Sequence, residues 1–289
     1  MSHTRSDLSL LGHAHDAGWH RVVLGVGVSA DNATRLTNIL AESGSAFVAA
    51  SRTSDIDVAL SGGTRSVIVY EVPTHDDDAA AVLFRHAKAR FPHCPVIALH
   101  RPSTSGAKAL ARAAALGITE ILLVDGVLQT AELRMCLRAC RNESVARTIW
   151  NRAHADIEAD LETILVRALR MAERPITLSA FAVNTGMPER SLRQYCERHG
   201  YPNPQWIIGW ARLLCAAYYI EEPGRSIDSI ANLLEYSSPS AFRNQLRRYT
   251  GLTASSVRAG GAIHTVARAL ERDVRKVDAA APVALRLVR

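Results

Sequence analysis

Long hydrophobic runs are missing from this chain. No apolar stretch in the 289 residues approaches the roughly 20 that a membrane-spanning helix needs, so a membrane partner is not expected. The first twenty residues, MSHTRSDLSLLGHAHDAGWH, lack a basic segment followed by an apolar core and do not read as a secretory signal. Cysteine is sparse and odd in number (94, 136, 140, 196 and 215), which excludes a disulfide scaffold and suits a reducing cytoplasm. Metal-ligand patterns are absent too. His3, His13, His15 and His20 crowd the N-terminus without cysteine or carboxylate partners at any set spacing, and a loosely docked tail explains them better than a metal site. Gly25-Val26-Gly27 lacks the third glycine of a dinucleotide-binding turn, with Ala30 in its place, and no acidic residue ends the next strand to hold a ribose. No catalytic residue, cofactor or metal is therefore expected.

What is present describes an ordinary globular chain, 48% hydrophobic and 21% charged, long enough for about two domains of 100–200 residues each. The net charge of +6 is uneven: residues 1–150 carry +1 and residues 151–289 carry +5. Neutralising phosphates dominates DNA affinity, so the second half holds the excess where a nucleic-acid partner would need it. Only three of the 34 basic residues are lysine. A GC-rich genome explains that bias more simply than base recognition does.

Residues 176–258 contain one pattern twice. The first copy is ITLSAFAVNTGMPERSLRQYCERHG and the second SIDSIANLLEYSSPSAFRNQLRRYTG. In each, a short helix with a small residue at its centre (Ala182, Ala231) leads through a tight turn to a second helix entered at or near proline (Pro188, Pro239). An apolar anchor follows, Leu192 or Phe242, and then an arginine beside a side-chain amide, Arg193-Gln194 or Arg243-Asn244. Arginine and amide side chains pair bidentately with guanine and adenine edges in the major groove. Between the copies, Gly200-Tyr201-Pro202-Asn203-Pro204 breaks the chain, and Gln205 to Ile220 reads as an apolar helix.

This order of features resembles the AraC/XylS family of bacterial transcription factors over roughly residues 155–258. The residues that carry the likeness are Ala182, Gly186, Leu192, Gly200, Pro204, Arg212-Leu213, Ile230-Ala231, Tyr236, Phe242, Gly251 and Arg258. The sequence departs from the family pattern at Glu235, where glycine is usual, at Ala254, where proline is usual, and at Cys196 and Leu246, where phenylalanine is preferred. The resemblance implies an all-helical, double helix-turn-helix domain whose second helices enter two adjacent major grooves. Glu189, Arg190, Arg193 and Gln194 in the first unit, and Ser240, Arg243 and Asn244 in the second, are the expected base contacts. Ser191, Arg247, Arg248 and the helix N-termini are the expected phosphate contacts. A linker helix of 16 residues spans about 24 Å, compatible with readers about 34 Å apart. Some regulators of this type carry an amidotransferase-like domain with a cysteine at a strand-to-helix elbow. Cys94 precedes its strand, so that enzyme reading is set aside.

Residues 20–145 alternate between apolar strand-like runs and helical stretches. Strands are expected at Arg21–Val26, Ala46–Ala50, Ser66–Val72, Pro95–Leu99 and Ile121–Val124, and helices at 31–43, 54–61, 77–91, 105–116 and 129–141. Continuous Val/Ile/Leu runs separated by helices indicate a five-stranded parallel sheet covered on both faces. The arrangement is similar to the flavodoxin-like receiver domain of response regulators. The family's acidic pair after the first strand is here Gly25-Val26-Gly27-Val28. Its acceptor aspartate position falls in Tyr70-Glu71-Val72, its hydroxyl in His100-Arg101, and its lysine in Asp125-Gly126. With only Glu71 left, phosphorylation is not expected, although a working receiver or a small-molecule sensor stays open as the alternative.

The expected organisation is a flexible tail over 1–19, an α/β domain over 20–145, a linker helix over 146–160, the DNA-binding domain over 161–258 and a basic tail over 259–289, in which Ile263 to Lys276 is amphipathic and reads either as an added helix or as a loosely ordered end. Trp150, Ile157, Ile164 and Met171 recur every seven residues and raise a short coiled coil, hence a homodimer, as a further candidate. Cys136 and Cys140 lie one turn apart and read as packing. Double-stranded DNA is the expected partner, with RNA polymerase a second candidate; the sequence names no small-molecule effector.

Overall fold

The computed structural model describes residues 22–42, 44–61, 66–73 and 78–280. The expected tail over 1–19, His20 and the chain beyond residue 280 lie outside the described residues. The chain divides into two compact units, Met1–Ser144 and Val145–Arg289.

In the first unit, five strands alternate with helices: β1 (Val22–Val26), α1 (Ala30–Ala41), β2 (Ala46–Ala50), α2 (Thr53–Leu60), β3 (Ser66–Glu71), α3 (Asp78–Arg90), β4 (Val96–His100), α4 (Thr104–Ala114), β5 (Glu120–Leu123) and the start of α5 (Thr130–Ala153). All strand pairs are parallel, in the order β2-β1-β3-β4-β5, with Val22 opposite both Ala46 and Ser66 and Ile97 opposite Glu120. The expected strands agree to within one residue at each end. Side chains alternate across the sheet, so the central strands β1, β3 and β4 each feed two cores, while edge strand β5 buries Leu122 and leaves Ile121 and Leu123 exposed. Val22, Leu24, Ile68 and Tyr70 pack with Ile56, Phe84 and Ala113 of α2, α3 and α4. Val23, Val67, Val69 and Ile97 pack on the other face with Leu36 and Leu40 of α1 and Leu133, Cys136 and Cys140 of α5. This is the flavodoxin-like sheet covered on both faces.

The second unit is helical: α6 (Ala159–Leu169), α7 (Leu178–Thr185), α8 (Glu189–His199), α9 (Pro204–Ile220), α10 (Ile227–Leu233), α11 (Pro239–Thr250), α12 (Ala254–Ala259) and α13 (Ala262–Ala280). Helix α9 is its centre. All its residues except Gln205 and Tyr218 are buried, as an apolar-all-round helix requires. Five N-termini are closed by side-chain oxygens: Thr177, Asn203, Ser226, Ser238 and Thr253 each accept from a backbone N–H three residues on. Pro204 and Pro239 follow two of these caps, at the first helical position where their missing N–H costs nothing.

One expectation is corrected here. No single linker helix runs over 146–160. Helix α5 extends through the expected break to Ala153, His154 then adopts a left-handed φ of 45°, and α6 begins only at Ala159. Between the helices the Asp156 N–H donates to Glu271 of α13 at 3.0 Å, and across the break the Trp150 indole N–H of α5 donates to Glu162 of α6 at 2.6 Å. The seven-residue stripe from Trp150 to Met171 is thereby cut, so no coiled coil forms along it. Of the two readings left open for the basic segment after residue 259, the added helix is the one found, as α13 through residue 280. Ile263, Val266, Leu270 and Val274 of α13 form a buried stripe at helical spacing.

Candidate nucleic-acid interface

Two helix–turn–helix pairs, α7–α8 and α10–α11, are built by the same local devices. The first turn pivots on Gly186 at φ 68°, and the N–H groups of Gly186 and Met187 donate back to Val183 and Ala182. The second pivots on Glu235 at φ 53°, with the N–H groups of Glu235 and Tyr236 donating to Asn232 and Ala231. Glycine takes this left-handed conformation at no steric cost, and glutamate does not. The second turn is braced from α9. The buried guanidinium of Arg212 donates to the Leu234 carbonyl at 2.6 Å and lies over the Tyr236 ring, 4.5 Å from its centroid. Arg174 adds an ion pair to Glu235 at 3.6 Å.

The expected reading residues all lie on outward faces. Counting from each N-cap, Pro188 and Ser238, the fourth residue on is Leu192 or Phe242, both fully buried. The fifth is Arg193 or Arg243 and the sixth Gln194 or Asn244, all exposed. The two pairs thus present an arginine and then a side-chain amide at equivalent helical positions. Glu189, Arg190, Ser240, Arg247 and Arg248 are exposed and Ser191 is half-buried. Among the described residues no carboxylate pairs with Arg190, Arg247 or Arg248. Arg193 faces Glu189 of its own helix at 4.0 Å. Arg243 is different: its guanidinium pairs with Asp228 in the first turn of α10, a partner that reasoning from the sequence missed because it lies fifteen positions away in the facing helix.

The two pairs are joined through aromatic rings on α9. Tyr195 of α8 contacts Tyr201, which stacks on Trp206 at 5.1 Å; Trp206 meets Trp210, and Trp210 meets Tyr249 of α11 edge-on at 5.1 Å. Gly209 lets this happen, since a Cβ there would fall 2.5 Å from the Tyr249 ring carbon Cζ. Cys196 and Leu246, smaller than the residues preferred in the resembled family, are buried at equivalent helix positions. Ala254 is the first helical residue of α12 behind its Thr253 cap, a place where proline is favoured but not required.

In the α/β unit, the carboxyl end of the sheet is occupied by Glu71. Its carboxylate accepts from the Ser29 N–H at 2.8 Å and the Ser29 hydroxyl at 2.9 Å, so it closes the N-terminus of α1. Arg101, after β4, stands 3.9 Å away. Gly27, at φ 64°, makes the turn between β1 and α1, where a Cβ would lie 2.7 Å from that of Ala80. No group of three or more His, Cys, Asp or Glu residues arranged for a metal exists among the described residues. None of their helices is long and apolar enough to cross a membrane.

Comparison with known proteins agrees with this geometry in the second unit. Residues 181–260 match a family described as a helix-turn-helix domain. The search of curated proteins found no match to this chain. Among solved structures, NtrX from Brucella abortus is 11% identical and aligns over 57% of this chain, at a TM-score of 0.38. The chain spans only 39% of that protein's length. A response regulator receiver protein from Sinorhizobium medicae WSM419 is 15% identical over 43% of this chain and 97% of its own, at 0.33. The transcriptional regulator CdpR from Pseudomonas aeruginosa is 16% identical over 63% of this chain and 64% of its own, at 0.31. Residues 181–260 are a DNA-binding helix-turn-helix domain of the AraC type, preceded in the chain by an α/β domain with the flavodoxin-like strand order.

Proposed function

We propose that this chain is a cytoplasmic, sequence-specific transcriptional regulator without catalytic activity, in which α8 and α11 enter successive major grooves. Its working parts are the α/β domain over 20–145 and the DNA-binding domain over 161–258. The observation that carries the reading is the equivalence of the two pairs: a buried anchor, then an exposed arginine, then an exposed amide, at matching distances from each N-cap. Base contacts are assigned to Glu189, Arg190, Arg193, Gln194, Ser240, Arg243 and Asn244, and phosphate contacts to Ser191, Arg247 and Arg248. RNA polymerase and a second copy of the chain are the protein partners under this reading. The α/β domain acts without phosphorylation, because Glu71 is committed to Ser29 and a receiver transfers a phosphoryl group only when carboxylates hold Mg²⁺ beside an acceptor aspartate.

Two measurements test the proposal. Arg243→Ala should weaken binding to a selected site by about 1–3 kcal/mol and relax preference at one base pair. Equal weakening on selected and random DNA would make Arg243 a phosphate contact instead. Incubation with acetyl phosphate and Mg²⁺, read by intact mass, should add no phosphoryl group. A stoichiometric gain lost on substituting a single acidic residue at a strand end would overturn the phosphate-independent part.

A further inference from the structure

We infer that Asp228 is a specificity-determining residue: it holds the Arg243 guanidinium in the attitude from which α11 reads a base. This rests on the proposed reading by α11. Three observations carry it. First, Arg243 and Arg193 sit at equivalent helix positions but are constrained differently, Arg193 by a distant carboxylate of its own helix and Arg243 by one from the preceding helix. A partner from another element fixes the direction of the side chain relative to the whole helix pair, which a same-helix partner does not. Second, both side chains are about half exposed, 49% for Arg243 and 58% for Asp228, so the pair lies at the surface offered to DNA and contributes little to stability. Third, the contact uses one terminal nitrogen, Nη2, leaving the other N–H donors of the guanidinium for a base.

The consequence is selective. A guanidinium already oriented by Asp228 loses less side-chain freedom when it meets guanine O6 and N7. Opposite the wrong base it keeps its carboxylate partner and gains nothing. The Asp228 charge also opposes the phosphates, so it weakens binding to unselected DNA. Discrimination at the base pair read by Arg243 therefore belongs to the two residues as a unit, and Asp228 contributes it without touching the base.

The test uses the full chain and a pool of random-sequence duplexes. Selection is run with the wild type, Asp228→Asn, Asp228→Glu, Arg243→Ala and the Asp228→Asn/Arg243→Ala double variant. The wild type should enrich one base pair that Arg243→Ala no longer enriches, a loss of about 5- to 150-fold in discrimination. Asp228→Asn should lower discrimination at that same base pair at least several-fold and nowhere else, Asp228→Glu should restore part of it, and the double variant should match Arg243→Ala alone. If Asp228→Asn keeps the preference, or weakens all sequences equally with or without Arg243, this inference is overturned and the proposed reading by α11 stands. If the wild type enriches no sequence, or Arg243→Ala leaves the preference intact, the reading by α11 fails and takes the inference with it.

Discussion

Glu235 is the residue at which backbone and side chain disagree most plainly. It holds φ 53° at the second turn, where the first has glycine, and a non-glycine residue there gives up about 1–2 kcal/mol. Its ion pair with Arg174 is exposed on both sides and returns less than that. Glu235→Gly should therefore raise the unfolding free energy by about 1 kcal/mol in a denaturant titration; a loss of stability would mean that the turn depends on the glutamate side chain. The cysteines make a second residue-scale case. Burial, then the neighbouring Glu120 and Glu132, push the Cys136 thiol up to about 11, and burial pushes Cys94 up to about 12. The thiolate is the reactive form, and at pH 8 it is a small minority when the pKa is so high. Native protein should react with an aromatic disulfide reagent over hours and the unfolded chain within minutes. Rapid labelling of Cys136 in the folded state would contradict its burial against the sheet.

Helices become one packed unit here through α9. It joins the two helix pairs through Trp206 and Trp210, braces the second turn through Arg212, and gives way to Tyr249 at Gly209. Alanine normally improves a helix interior over glycine by about 1 kcal/mol. Gly209→Ala should do the reverse, destabilising by about 1–3 kcal/mol, because its Cβ overlaps the Tyr249 ring and would push it off its edge-on contact with Trp210. Adding Tyr249→Ala should recover part of the alanine's helix advantage, which thermal denaturation of the single and double variants would show. An unchanged or higher Tm for Gly209→Ala alone would mean that α11 is not held at this spacing by α9.

For the whole chain, the electrostatic prediction is the one that a single experiment decides. The +5 excess of residues 151–289 lies in the unit that carries both helix–turn–helix pairs, and Arg190, Arg247 and Arg248 lack carboxylate partners among its described residues. A protein reading two grooves with about 6–10 phosphate contacts loses about 10³–10⁵ in affinity between 50 and 200 mM salt. Fluorescence-anisotropy titrations across that range should give such a slope, and a flat profile would remove DNA binding as the proposed activity.

Periodicity and local chemistry made much of this chain legible. Apolar runs placed five strands to within a residue, and most sharply β1, β3 and β4, because a strand buried on both faces cannot tolerate polar interruption. Proline and glycine marked the helix ends around both turns, because backbone conformation there depends on the residue itself. The outward faces of α8 and α11 were readable for the same reason, since Leu192 and Phe242 fix which side turns inward. Long-range pairing was not readable. The end of α5 and the path of residues 154–158 depend on Glu271, more than a hundred positions later, and the stripe on α13 had no recognisable partner until α9 was seen beside it. The fate of Glu71 turned on Ser29 across the sheet, and that of Arg243 on Asp228 across the turn. Charged side chains choose partners by distance in space, and only the folded chain sets those distances.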